Sequence, residues 1–431
     1  MPIFSRHDRQ SSRGGGRRAI RLVRVLAILL ASVASSFASA GEWAEGVAIE
    51  TCENAPEAER ARCHREALAK AKRDERKMLR AAEAARTYQY ALADDLARDG
   101  APRDLAFAVL LRSMAEQFDD ESSVESATLS AWRTKALAEG GDDPLVYALL
   151  WMSAASTPQN EAVQMAWRNE ALRQWRAADP QNLEPMAQAF LRPAASAKNA
   201  DQAAEDDPES TATMMYDPDV FVAARRATRH DAYYDDVVRL SVAAMRRHPP
   251  SASAWRRIGD AGVSSLDAYA TAVGTSVWAT NMPAYQYWIR ACKGDALALP
   301  QRADDCRHVA DVFRTRSDTL MARLVGIAIG RFAARDANEK AALTAERRIV
   351  DWRMAQWRRA NETMGSDESA SFAALVMAHE DIGEHDIMLR AIAAAGLSAL
   401  PPDDWESAFK FPDERAAVPA SASEPTLPPA P

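Results

Sequence analysis

The densest group of residues able to bind a metal or move a proton is the stretch 379–386, which reads HEDIGEHD. Asp381 and His385 are four residues apart, so a continuous helix would place a carboxylate and an imidazole on one face, as a divalent metal site requires. The two histidines are six apart and do not form the HExxH pattern of zinc proteases. Gly383 indicates that a helix ends inside the stretch, which favours turn and capping roles for the acids.

A second group, Asp304, His308 and Asp311, has the i, i+4, i+7 spacing of one helix face. Two carboxylates and an imidazole on such a face can bind a divalent ion. The same spacing suits an exposed face crossed by helix salt bridges, which is the commoner arrangement. We therefore predict no metal site and no cofactor.

Sequence patterns of common enzyme sites are missing beyond residue 40. That part of the chain has no GxSxG nucleophile motif, no Walker loop and no GxGxxG loop. Lytic transglycosylases are built on helical scaffolds, but the Glu-Ser pairs at Glu121 and Glu125 lie in an acidic, loop-like stretch. We predict no catalytic residue, and a cell-wall-active hydrolase of this kind stays an alternative.

The four cysteines predict two local disulfides, Cys52–Cys63 and Cys292–Cys306, because an even count suits an exported protein. Each pair is close in sequence and has a proline between its members, which lets a turn bring the two segments together. A zinc site is the rival interpretation, but the chain has no CxxC pair to supply close ligands.

Eleven tryptophans are many for a helical chain, and they can either fill a core or line a binding groove. Trp132 and Trp167 recur at a regular spacing, which favours the core. Trp151 and Trp175 have no repeated counterpart, and we predict them as candidates for a binding groove.

The elements that carry these residues are predicted to be helices, because alanine is abundant and glycine is scarce. The pattern AWRxxAL begins at Ala131 and recurs 35 residues later at Ala166, and each copy leads to an Asp-Pro pair, at Asp143 and at Asp179. An apolar helix follows each pair. Farther along, the sequence around Trp255 has a WxxIG stretch after a proline. No train of alternating β-branched residues predicts a sheet.

These stretches resemble the tetratricopeptide and Sel1-like helical repeats, over residues 131–191 and more weakly over 245–259. The resemblance implies an all-α fold of stacked helical hairpins, an α-solenoid, with an extended concave surface that binds a protein or peptide. We expect two halves, 41–191 and 217–410, separated by an acidic linker or mobile loop at 192–216. In the second half, Asp304 to Phe332 and Asn338 to Met364 are predicted to be the two helices of one long hairpin. The Pro- and Ala-rich residues 411–431 are predicted to be a disordered tail.

The first forty residues have the pattern of an export signal: seven arginines, then an uncharged apolar run over 25–38, then Ala38-Ser39-Ala40. The run is too short to span a membrane, and we predict cleavage after Ala40. Loss of these residues, which contain seven arginines and one aspartate, changes the formal net charge from −8 to −14. Such a chain would be repelled by nucleic acids and anionic lipids.

The sequence thus predicts a periplasmic or secreted protein that binds another exported protein or peptide, without catalysis, nucleic acid or stable membrane insertion. Besides the hydrolase, an inhibitor or chaperone of another exported protein stays an alternative. In that case the acidic stretch Glu205–Glu209 would be the segment that enters a partner.

Overall fold

The computed structural model describes residues 47, 49, 51–53, 55–116, 127–154, 161–188, 218–280, 285–364, 374–378 and 383–411. The predicted signal at 1–40, the predicted linker at 192–216 and the chain from 412 onward lie outside the described residues. So do Glu121, Glu125 and the acidic stretch Glu205–Glu209.

The described part of the chain is all-α, as predicted, and contains no β-strand. In chain order the helices are α1 Glu57–Asp99, α2 Pro102–Glu116, α3 Ala127–Glu139, α4 Pro144–Ala154, α5 Glu161–Ala178, α6 Glu184–Ala187, α7 Pro218–Ala224, α8 Tyr234–Arg247, α9 Ala252–Gly259, α10 Leu266–Thr280, α11 Tyr285–Ala291, the 3₁₀ helix Gly294–Ala298, α12 Pro300–Thr315, α13 Leu320–Phe332, α14 Ala337–Met364 and α15 Glu384–Ala394. No helix among the described residues is both long enough and apolar enough to cross a bilayer.

Local sequence explains where the longest helix ends. Gly100 takes a left-handed conformation with φ of 78°, and its N–H donates to the carbonyl of Leu96. This closes the last turn of α1, and Pro102 then starts α2. The second half of α1 packs against α2 and α9.

The largest apolar core takes residues from α1 to α5 and also from α8 and α10, together with Val376 and Ile387. Residues before and after 192–216 therefore share one core, and the expected division into two halves is not a division of the hydrophobic interior. A second core lies between α6, α7, α11, α12 and α13.

One predicted helix is two helices in the structure. We expected a single helix from Asp304 to Phe332, but α12 ends at Thr315 and α13 begins at Leu320. Thr319 caps α13 by accepting a hydrogen bond from the N–H of Ala322 at 3.2 Å. The four residues between the helices carry polar side chains that contribute to the site described below.

Phe411, the first residue of the predicted disordered tail, is ordered in the structure. Phe411 is buried against Ile327, Leu343 and Val350, with the Arg331 guanidinium 3.7 Å from its ring centroid. Residues 396–411 have no helix, yet they are held on α14 by hydrogen bonds such as Trp352 Nε1 to the carbonyl of Ser398.

Candidate functional site

Both predicted disulfides are present. Cys52 and Cys63 join the chain before α1 to its second turn, with their Cα atoms 5.9 Å apart. Cys292 and Cys306 join the end of α11 to α12, with their Cα atoms 5.6 Å apart, inside the second core. The first bond fixes the start of α1, and the second closes the loop that contains the 3₁₀ helix.

The prediction of a groove lined by Trp151 and Trp175 is wrong. Trp151 is 2% exposed and Trp175 is 1% exposed, and the centroids of their rings lie 6.3 Å apart in the largest core. For Trp151 the reason is that α4 is apolar on all sides, so no face of it is left for solvent. Trp175 lies on α5, which packs against α4.

Trp132 and Trp167, the tryptophans predicted to lie in the core, are partly buried rather than fully buried, and Trp132 packs against the largest core. The guanidinium of Arg112 lies 5.3 Å from the ring of Trp132, and that of Arg133 lies 5.8 Å from the ring of Trp167. The repeated pattern therefore gives cation–π stacks at the edge of the core.

The acids and imidazole of the second predicted group do not converge on one point. Asp304 pairs with Arg307, Asp311 pairs with Arg314 at 3.0 Å, and His308 Nε2 donates to the carbonyl of Ala227 at 3.1 Å. Within the described ranges, no group of His, Cys, Asp or Glu residues is placed to hold a metal ion.

Of the acidic stretch 379–386, residues 379–382 lie outside the described residues. Gly383 precedes α15, and Glu384 caps another helix, because its carboxylate accepts the N–H of Leu320 at the start of α13 at 2.8 Å. His385 contacts Arg353 and Asp386. The prediction that the acids of this stretch cap the helix that follows them is therefore wrong for Glu384, which lies in the first turn of α15 and caps α13 instead.

The most concentrated set of buried polar groups surrounds the extended segment 228–233. This segment runs between the turn at 181–183 and the break between α12 and α13, with isolated parallel bridges Asn182–Arg229 and His230–Ser317. We call the set the polar junction, and its members are Asp179, Asn182, Glu184, Arg229, His230, Asp231, Tyr233, Asp235, Ser317, Asp318 and Glu384.

One side of the polar junction is built on Asn182. Its side-chain nitrogen donates to Asp179 at 3.0 Å and to the carbonyl of Asp231 at 2.8 Å, while its oxygen accepts the N–H of Asp231 at 2.9 Å. Arg229 Nη2 lies 2.9 Å from both oxygens of Asp179, which also accepts the hydroxyl of Tyr233. The turn after α5 is therefore locked to the segment 228–233.

The other side is built on Asp318. Its carboxylate accepts the backbone N–H of Ala232 at 3.0 Å and that of Tyr234 at 3.4 Å. These bonds hold the break between α12 and α13 against the first turn of α8. Tyr233, between the two donors, has φ of 55°, a strained conformation for a residue other than glycine.

Burial dominates the electrostatics of this side. It raises the pKa of Asp235 to about 7, with Arg239 acting in the opposite direction. It also raises the pKa of Asp318 well above its usual range, and the charge of Asp231 adds to this effect. The pKa of Glu384 is raised as well, again chiefly by burial. Carboxyl groups crowded in an apolar setting hold protons more tightly.

His230 lies at the centre of the polar junction. Its Nε2 is 2.8 Å from Glu184 Oε2 and its Nδ1 is 2.9 Å from Ser317 Oγ. Sequence reasoning missed this set because its members are 46 and 87 residues apart along the chain. The available signal was the DPxN turn at Asp179, whose polar residues have little use on a simple helix end.

A second feature is the exposed first half of α1, residues 57–80, which we call the basic arm. It has nine exposed cations, namely Arg60, Arg62, Arg65, Lys70, Lys72, Arg73, Arg76, Lys77 and Arg80, against three exposed acids, Glu57, Glu59 and Glu66. Arg62 pairs with Glu59, and Arg60 donates to the carbonyl of Ala55. For the other seven cations, no ion-pair partner is found in the part of the chain that the structure describes.

The chain matches no protein-family model, no curated protein and no solved structure. The tetratricopeptide and Sel1-like resemblance therefore stays a prediction, carried by the recurring AWRxxAL pattern and the half-exposed tryptophans that it places alike.

Proposed function

We propose that this protein is an exported helical scaffold, periplasmic or secreted, that binds an acidic protein or peptide through the basic arm. The two disulfides are consistent with an oxidising compartment. The helical-repeat resemblance favours a binding function of the same kind.

The observation that carries the proposal is the local excess of positive charge on the basic arm, which has nine exposed cations against three exposed and two half-buried acids, on a chain whose net charge is negative. For seven of them, no ionic partner is found among the described residues. The arm is 24 residues of continuous helix, about 36 Å long at the usual rise. The disulfide Cys52–Cys63 stabilises its N-terminal end, where a lone helix would otherwise fray.

The composition of the arm favours a protein over a membrane as its partner. A helix that lies on a bilayer needs an apolar face with large side chains. On the arm, Leu79 is the large apolar residue that is clearly exposed, at 56%. The rest of the chain is acidic and would be repelled by anionic lipids and by nucleic acids, whereas a partner with a local acidic groove avoids that penalty.

The test compares two variants of the mature chain that lose the same number of positive charges. The arm variant replaces five cations of the basic arm by glutamine: Lys70, Lys72, Arg73, Arg76 and Lys77. The control variant replaces five exposed cations elsewhere by glutamine: Arg226, Arg256, Arg257, Arg290 and Lys293. Circular dichroism establishes that both variants keep the helical content of the parent.

Each tagged chain is purified from the exported fraction of its own host, and the co-purifying proteins are identified and quantified. We expect an acidic protein to co-purify in equal amounts with the parent and with the control variant. Its amount with the arm variant should be at least tenfold lower, because several ionic contacts are removed. Equal recovery by the arm variant contradicts the proposal. Binding of the parent to phosphatidylglycerol vesicles, without such a protein, would also contradict it by assigning the arm to lipid.

A further inference from the structure

The chain of hydrogen bonds from Ser317 through His230 to Glu184 joins three elements: the break between α12 and α13, the segment 228–233 and the first residue of α6. The three side chains differ in exposure. His230 is 1% exposed and Glu184 3% exposed, while Ser317 is half-buried and lies nearest to solvent. A half-buried serine is thus backed by a buried imidazole and a buried carboxylate.

The partners of His230 determine its tautomer. An ionised carboxylate can only accept hydrogen bonds, so His230 Nε2 carries the proton and donates to Glu184. Nδ1 then presents a lone pair, and the hydroxyl of Ser317 donates to it across 2.9 Å. The backbone N–H of Thr319 donates to Ser317 Oγ at 3.2 Å, which leaves the hydroxyl proton free for the imidazole.

Packing holds the imidazole in this orientation. The ring contacts Phe313 edge-on, with centroids 4.8 Å apart, and Tyr285 at 6.0 Å. Gln188 donates to the second carboxylate oxygen of Glu184, which fixes that side chain in turn. A nucleophile, a base in contact with it and a third group that orients the base make up the arrangement by which proteins activate a serine.

We propose that Ser317 is a nucleophile that accepts acyl groups, with His230 as its general base. Glu184 is the residue that orients the imidazole and stabilises the imidazolium when the ring is protonated. This activity goes beyond the binding function and does not depend on it. Compared with the usual serine triad, the ring is turned around, since Nδ1 faces the serine and Nε2 faces the acid.

The reaction is a two-step acyl transfer. Ser317 Oγ forms a bond to the acyl carbon of an ester while its proton passes to His230 Nδ1, and the alkoxide leaves with that proton as the ester bond breaks. Water then attacks the acyl carbon and gives one proton to Nδ1. The bond between that carbon and Ser317 Oγ breaks, Oγ takes the proton back from Nδ1, and the acid leaves.

The chemistry of the pair indicates the class of substrate. An activated serine hydroxyl attacks the carbonyl carbon of an acyl group, and an ester releases its alkoxide once the imidazolium supplies a proton. The substrate class is therefore a carboxylic ester. Asp318 Oδ1 also lies 3.8 Å from His230 Nδ1, and burial favours the neutral, protonated form of this carboxyl group.

The test uses phenylmethylsulfonyl fluoride, a neutral reagent that loses fluoride to an activated serine, followed by mass spectrometry of the labelled peptides. We expect the adduct on Ser317 of the mature chain and none in Ser317→Ala. Ser253→Ala, which removes an exposed serine at the start of α9, should label like the parent. Hydrolysis of p-nitrophenyl acetate should be lost in the Ser317 variant alone.

Glu184→Gln tests the positioning role, because glutamine keeps the size of the side chain and removes its charge. We expect labelling to slow by about 100-fold or more. Glu184→Asp, which keeps the carboxylate, should recover part of the labelling rate, because the proposed role needs the charge and not only the volume of the side chain. Circular dichroism reports whether each variant is folded. Absence of an adduct on Ser317 in the parent chain, or equal hydrolysis by Ser317→Ala, overturns the proposal.

Discussion

Asp235 gives the polar junction a measurable pH dependence. It lies on the first turn of α8, is 7% exposed and has one carboxylate oxygen without a hydrogen-bond partner among the described residues. Its nearest cation is Arg239, whose Nη2 is 3.6 Å from the other oxygen. Asp235→Asn keeps the size of the side chain and removes the charge, so the variant isolates the cost of burying an ionised carboxylate here.

The magnitude follows from the pKa of Asp235, which rises from an ordinary 3.8 to about 7 in the folded protein. Because the folded state holds the proton more tightly, the contribution of this group to the free energy of unfolding is greatest below pH 4 and is lost as pH rises toward pH 7. The difference between the two pKa values corresponds to about 4 kcal/mol. The asparagine variant also loses the ionic contact with Arg239, so its net gain in free energy of unfolding is smaller than this value.

Urea denaturation of the parent and of Asp235→Asn at about pH 5 and about pH 8 tests this expectation. We expect the variant to exceed the parent in free energy of unfolding at the higher pH, and the advantage to shrink at the lower pH. Asp236→Asn is the matched control, because its side chain is 42% exposed and also faces Arg239. A variant that is less stable than the parent at both pH values would refute the reasoning.

Two further expectations concern packing and the second disulfide. Gly326→Ala should lower the free energy of unfolding by about 1–3 kcal/mol, because an added Cβ would lie 2.7 Å from the backbone nitrogen of Arg314 in α12. Gly259→Ala, where an added Cβ has no neighbour within 4 Å, should leave the stability unchanged or raise it slightly. Equal effects of the two substitutions in urea denaturation would argue against the close contact between α12 and α13. Removing the Cys292–Cys306 disulfide by a double alanine substitution should cost about 2–4 kcal/mol in the same assay. Removing the N-terminal disulfide, whose cysteines lie in neither large core, should cost less. A larger loss of stability from removing the N-terminal disulfide would contradict the view that burial in the second core makes Cys292–Cys306 the more important of the two.

The features that the sequence predicted correctly depend on nearby residues. The two disulfides join cysteines that are only 11 and 14 residues apart in the sequence. In such cases the chain brings the partners together without help from the rest of the fold. The all-α class follows for the same reason, because helix propensity acts over a few turns.

The tryptophans show where a local pattern fails. Recurrence told us that Trp132 and Trp167 occupy equivalent positions, but not whether those positions face inward. Trp151 lies in a helix without polar residues in its middle turns, and this is a stronger sign of burial than any repeat. Trp132 and Trp167 lie in mixed helices, where a partly exposed ring can stack with a cation from another helix, Arg112 for Trp132 and Arg133 for Trp167.

The polar junction was out of reach for a different reason. Its bonds connect residues that are distant in sequence, such as Asp231 with Asn182 and Ala232 with Asp318. No spacing rule relates such positions, and a single sequence cannot show which distant polar residues meet. The expected helix from Asp304 to Phe332 concealed the break that makes the contacts with Asp318 available.

The energetics of the polar junction favour a role beyond stability. Replacing buried ionic groups by apolar ones of similar size is often neutral or stabilising, so buried charges are a poor means of making a fold stable. Here they come with raised pKa values and with a strained backbone at Tyr233, which costs on the order of 1–3 kcal/mol. The polar junction instead fixes orientation, since each hydrogen bond sets how the segment 228–233 lies against the turn at 181–183 and against the break between α12 and α13. The Ser317 hydroxyl and the His230 imidazole face each other only in that arrangement, so the cost of the charged groups and the proposed activity have the same structural origin.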